Sequence, residues 1–152
     1  MLRKLIRVQK KKTRLNMNPA TSILAKGRAI QISEAEIKIS DLRLRTYIGF
    51  NPEEKSKQQD VIINATLRYR AEPALSSDDQ NDALDYKVIT KRMIHHIESG
   101  RFHLLEKLTA DLLRIATDSE RVSYAEVRVD KPHALRFADS VSVTLSASRE
   151  NA

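Results

Sequence analysis

Residues 60–70, DVIINATLRYR, constrain this chain most, because Val61, Ile63, Ala65, Leu67 and Tyr69 alternate with Asn64, Thr66, Arg68 and Arg70. A period of two held over eleven residues predicts a long strand with one buried and one polar face. Such a strand needs strand partners and an apolar layer over one side. The first partner is AEIKISDLRLRTYI at 35–48, where Ile37 and Ile39, then Leu42 and Leu44, oppose charged neighbours. Its phase slips near Asp41, which predicts a bulge. Two more strands follow late in the chain, RVSYAEVRVDK and DSVSVTLSA, the last alternating Val141, Val143 and Leu145 with Ser140, Ser142, Thr144 and Ser146.

Two amphipathic segments lie between these pairs. Asp85 is a suitable N-cap for YKVITKRMIHHIES, which sets Val88, Ile89, Met93 and Ile97 on one face and stops at Gly100. A second helix from about Leu104 to Thr117 aligns Leu104, Leu108, Leu112 and Ile115. The order β-β-α-α-β-β predicts an α+β fold, a four-stranded antiparallel sheet with both helices on one face. The other face reads as polar but not strongly charged, as in the lining of a barrel. Open sheet edges predict a multimer. The segment GFNPEEKSKQQ between the first two strands is longer than an ordinary hairpin loop, so it is a candidate site. Residues 71–85 read as a polar, acidic connection.

Composition narrows the chemistry. The chain has 152 residues, 41% hydrophobic, with only 3 Gly and 4 Pro, which suits one folded domain and excludes collagen-like or disordered classes. With no Cys, it cannot use a thiolate nucleophile, a thiolate zinc site or a disulfide framework. Gly27, Gly49 and Gly100 are isolated, so no phosphate-cradling glycine loop exists. His95, His96, His103 and His133 lack HxH or HExxH spacing, so no metal is expected. No run of about 18 apolar residues is present for a membrane span. A cytoplasmic chain is expected.

The net charge of +7 invites a nucleic-acid reading, but it is unevenly placed. Residues 1–30 hold nine of the 27 cations and no acid, leaving 18 cations against 20 acids. Residues 1–33 are therefore expected to be a basic extension, disordered or beginning from a start placed too early, ahead of a domain at 34–149. The arm MLRKLIRVQKKKTRL has no aromatic residue to stack on bases, which disfavours nucleic acid as a partner.

Catalysis would then fall to carboxylates, a lysine and a tyrosine at element ends: Glu53, Glu54, Tyr86, Glu106 and Lys131. In order, RTYIGFNPEEKSKQQDVIIN, DALDY, RFHLLEKLT and VDKPHALRFADSVSVTLS resemble the dihydroneopterin aldolase family of pterin enzymes over about residues 35–148. Within it they are most similar to the 2′-epimerase branch, which acts on the triphosphate. The resemblance implies a tunnelling fold (T-fold), in which subunits close a barrel as a tetrameric ring or a stacked octamer. It also implies no cofactor, a small-molecule pterin substrate and active sites between neighbouring subunits.

By the same resemblance, Glu106 anchors the pterin through its amino and ring N–H groups, with Leu105 beside it in the substrate pocket. Tyr86 exchanges a proton across the interface. Lys131 is the acid–base group, accepting a proton as a free amine or through water. Glu54 polarises this machinery, with Glu53 one register away. His133 and Arg136, with Lys55 and Lys57, are candidates to hold a triphosphate. One departure is Asp85, where the epimerase branch is expected to carry Asn. The implied reaction inverts carbon 2′ of 7,8-dihydroneopterin triphosphate by retro-aldol and aldol steps. The alternative is an aldolase releasing 6-hydroxymethyl-7,8-dihydropterin and glycolaldehyde.

Overall fold

The computed structural model describes residues 30–150, and the basic arm lies outside them. The elements are β1 (Ala35–Ile48), α1 (Pro52–Ser56), β2 (Gln59–Tyr69), α2 (Glu72–Ser77), a 3-10 turn (Gln80–Asp82), α3 (Tyr86–Ser99), β3 (Arg101–Phe102), α4 (Leu105–Thr117), β4 (Val122–Pro132) and β5 (Ser140–Ser148). They form a five-stranded sheet in the order β3-β1-β2-β4-β5. All neighbours are antiparallel except β1 and β3.

The alternation of β2 predicts its burial closely. Val61, Ile63 and Leu67 are fully buried and Ala65 nearly so. Beside them Val129, Val127 and Ala125 of β4 face the same way, because directly opposed residues share a face. Ile89, Met93 and Ile97 of α3 and Leu108, Leu112 and Ala116 of α4 cover that face. Each large apolar side chain buried there contributes about 1.5–3 kcal/mol. The expected bulge lies between Ile39 and Leu42, with Asp41 at φ 53°. Asn64 holds it, accepting from the Asp41 amide (3.0 Å) and donating to its carboxylate (3.3 Å).

Several expectations need correction. The sheet has a fifth strand, β3, too short to leave a periodic signal. The loop after β1 contains α1, and the connection 71–85 contains α2 and the 3-10 turn. Val88 and Leu104, assigned to apolar stripes, are half exposed. Leu104 is the N-cap of α4, one position before the helix. The outer face of the sheet is charged as well as polar. Arg68 pairs with Glu36 (2.8 Å), Arg128 with Asp130 (2.7 Å) and Arg45 with Asp60 (3.4 Å) across it. These long side chains sit opposite one another on neighbouring strands or two apart on one, where opposite charges meet.

Candidate active site

Both β1 and β4 run antiparallel to β2, so the end of β1 at Ile48 and the end of β4 at Lys131 share one edge of the sheet. The chain turns there through Gly49, at φ 129°. A Cβ on Gly49 would overlap the Glu54 carboxylate, so only glycine fits. Asn51 then caps α1: its side chain accepts from the Glu54 amide (3.0 Å), while the Glu54 carboxylate accepts from the amides of Asn51 (3.3 Å) and Phe50 (3.1 Å). This capping box, with Pro52 opening the helix, orders what reads in sequence as a plain loop. Gln59 spans its base by donating to the Ile48 carbonyl (2.7 Å).

The box uses one carboxylate oxygen of Glu54 and leaves the other for Lys131, whose Nζ donates to Oε1 at 2.5 Å. Lys131 sits on the core-facing side of β4, opposite Val141, and its side chain is only 12% exposed. The Lys131 hydrogen bond holds the Glu54 carboxyl below the ordinary glutamate range, against burial, with help from the Asn51 and Phe50 amides. Two candidates 77 residues apart thus meet. Glu53, one register away, is exposed and does not join them.

Glu106 lies in the first turn of α4, at the same end of the sheet, because β3 pairs Phe102 with Ile48. It is exposed, while Leu105 beside it packs against the core. Next to this turn a cleft of about 710 Å³ is lined by His96, Arg101, Phe102, His103, Lys107 and Asp111, among others. Asp111 is its buried acid, missed by sequence reading. Burial alone would raise its carboxyl, but hydrogen bonds from Lys107 (2.6 Å) and His96 (3.0 Å) hold it below the ordinary range. Its helical neighbours at i−4 and i+3, Lys107 and Arg114, were the available sequence signal.

The remaining candidates scatter. His133 borders a smaller cleft with Arg43, Arg45 and Asp60. Arg136 stacks over Phe137 on the β4–β5 loop, Phe137 being almost fully exposed. Lys55 and Lys57 are exposed, and the Lys55 carbonyl accepts from Arg101 (3.1 Å). Tyr86 is 47% exposed at the start of α3. The opposite end of α3 lies against the site, since the buried Thr46 hydroxyl donates to the Ile97 carbonyl (2.6 Å). A helix of 14 residues is about 20 Å long, so Tyr86 stands far from the Lys131–Glu54 pair of the same chain. Among the described residues, no group of three or more His, Asp or Glu is arranged to hold a metal, and no helix is long and apolar enough to cross a membrane.

An α+β chain with a curled, mostly antiparallel sheet, two helices on one face and a Lys–Glu pair at the sheet end defines a T-fold enzyme. The chain belongs to the dihydroneopterin aldolase (FolB) family, whose model matches residues 37–146. It is 56% identical over 115 residues to the dihydroneopterin triphosphate 2′-epimerase of Escherichia coli K12, covering 76% of this chain and 96% of that protein. To the dihydroneopterin aldolase of the same organism it is 25% identical over 107 residues, covering 70% and 88%. A putative dihydroneopterin aldolase from Vibrio cholerae superposes with a TM-score of 0.73 at 29% identity, covering 78% of this chain and all of that one.

Proposed function

We propose that this protein epimerises carbon 2′ of 7,8-dihydroneopterin triphosphate, giving dihydromonapterin triphosphate, in the cytoplasm. The observation that carries the chemistry is the largely buried Lys131–Glu54 pair, two groups that can hold, lend and retrieve one proton. The much higher identity to an epimerase than to an aldolase supports the branch.

In this reading Glu106 receives the donor edge of the pterin, beside Leu105, since a carboxylate offers two acceptor oxygens to paired N–H groups. The 2′-hydroxyl loses its proton to the Lys131 centre, and the bond between carbons 1′ and 2′ breaks. Its electrons pass into the ring imine, whose nitrogen is protonated, and carbon 2′ becomes the aldehyde of a phosphorylated glycolaldehyde. The retained aldehyde presents its other face, the ring nitrogen gives up its proton as the bond re-forms and the imine returns, and the hydroxyl regains its proton with inverted configuration. An aldolase would release the fragment, so the two activities differ in retention. Cations near the pocket favour retention of the triphosphate, with His133, Arg136, Lys55 and Lys57 as the candidates.

The separation of Tyr86 from the pair favours a site completed by Tyr86 of a second copy, in a homo-oligomeric ring. The exposed Tyr86 and Val88 side chains suit an interface of that kind.

A chromatographic product assay with the triphosphate, run on wild type and Lys131→Ala, tests the reading. We expect the 2′-epimer, with turnover falling about 10²–10⁴-fold in the variant. Accumulation of 6-hydroxymethyl-7,8-dihydropterin would make the protein an aldolase. Full turnover in Lys131→Ala would remove the lysine from the mechanism.

A further inference from the structure

Tyr86 is the one proposed catalytic group that its own subunit does not hold through its side chain, so the backbone beneath it must fix its position. Three features do so. Leu84, only 4% exposed, anchors the segment in the core. Asp85 caps α3 by accepting from the Val88 amide (3.1 Å), and the Tyr86 amide itself donates to the Leu84 carbonyl (2.9 Å). The third is Arg121, in the turn between α4 and β4. One arm of its guanidinium donates to the Ala83 carbonyl and the other to the Asn81 carbonyl, both at 2.9 Å.

We infer that Arg121 is a positioning residue for the catalytic tyrosine, fixing the 81–86 segment so that Tyr86 is presented at a constant place and angle to the neighbouring site. The inference rests on the reading of Tyr86 as part of that site. Arginine suits the task because its planar fork reaches two carbonyls at once, which a lysine ammonium on a flexible stem does less well. The residue is exposed, so water can replace either bond and global stability depends little on it. Position is another matter, since a misplacement of about 1 Å can cost 10²-fold in rate. Nothing else from the last third of the described chain donates a side-chain hydrogen bond to this segment.

The test compares wild type, Tyr86→Phe, Arg121→Met, Arg121→Lys and the Tyr86→Phe/Arg121→Met double variant, with epimer formation as the assay. Arg121→Met should lower kcat about tenfold with KM changed less than twofold, and Arg121→Lys should recover part of the loss. The double variant should be no slower than Tyr86→Phe alone, because a clamp acting through the hydroxyl has nothing left to position. Hydrogen exchange of the amides at 81–86, read on the same Arg121→Met protein, should accelerate. If Tyr86→Phe is impaired but Arg121→Met turns over normally, or slows Tyr86→Phe by its full factor again, the positioning role is overturned. If Tyr86→Phe is itself fully active, the reading of the site fails instead. Exchange then decides separately whether Arg121 holds the segment, and unchanged exchange overturns that too.

Discussion

The two ends of α3 are built on opposite plans. At its C-terminal end three polar side chains near the site have partners inside the chain: Thr46 on the Ile97 carbonyl, Gln59 on the Ile48 carbonyl, Lys131 on Glu54. At its N-terminal end the Tyr86 and Val88 side chains stand half exposed, and what holds this turn acts on its backbone: the Asp85 cap, the Thr90 hydroxyl on the Tyr86 carbonyl, and Arg121. The first end can assemble in a lone chain, while the second is prepared and left uncovered. Under the function proposed above, a centre split this way would tie chemistry to assembly, because neither end holds the full set of groups.

Glu54→Gln gives the largest expected break in this contrast. Glutamine can still complete the capping box, so the turn should persist, while the charge facing Lys131 is lost. Turnover should fall about 10–100-fold with Tm within a few degrees of wild type, measured by the product assay and by thermal melting. Unchanged turnover would reduce the closed end to a piece of architecture. Acid should act next. Glu54, Asp111 and Asp130 are all held below the ordinary carboxylate range in the fold, so the unfolded chain takes up more protons as pH falls. Their stabilisation is complete above about pH 4.5 and declines as the pH drops through their folded values. Urea midpoints measured between pH 7 and pH 3 should therefore decrease.

Thr46→Val should cost about 1–2 kcal/mol, because the Ile97 carbonyl loses its short bond from the buried hydroxyl and keeps only the longer one from the Gly100 amide (3.4 Å). The smallest effect belongs to the open end: Asp85→Ala should cost about 1 kcal/mol in urea unfolding by removing a cap. Its effect on kcat should exceed its effect on stability, since the frayed turn carries Tyr86. A larger stability loss there than in Thr46→Val would invert the comparison.

The sheet and helices were legible because burial writes a period into the sequence. Val61 to Leu67 announce β2, the slip at Asp41 announces the bulge, and Asp85 announces the start of α3. Two residues of β3 cannot carry a period, so the fifth strand was invisible. The helix α1 was readable in principle, since Asn51 three residues before Glu54 with Pro52 between them is a capping signature. The Lys131–Glu54 contact was not readable from periodicity at all. It spans 77 residues and reached the sequence reading only through family resemblance. Arg121 left no signal either, because an exposed arginine donating to carbonyls resembles any solvated one.

Gly49 sets a limit on how this site can be redesigned or can diverge. Its missing methyl is the space the Glu54 carboxylate occupies. A combinatorial library that randomises the loop will return glycine at 49 wherever glutamate is kept at 54, and other residues there only alongside a rebuilt turn. The two positions form a single evolutionary character, one part of it written as an absence.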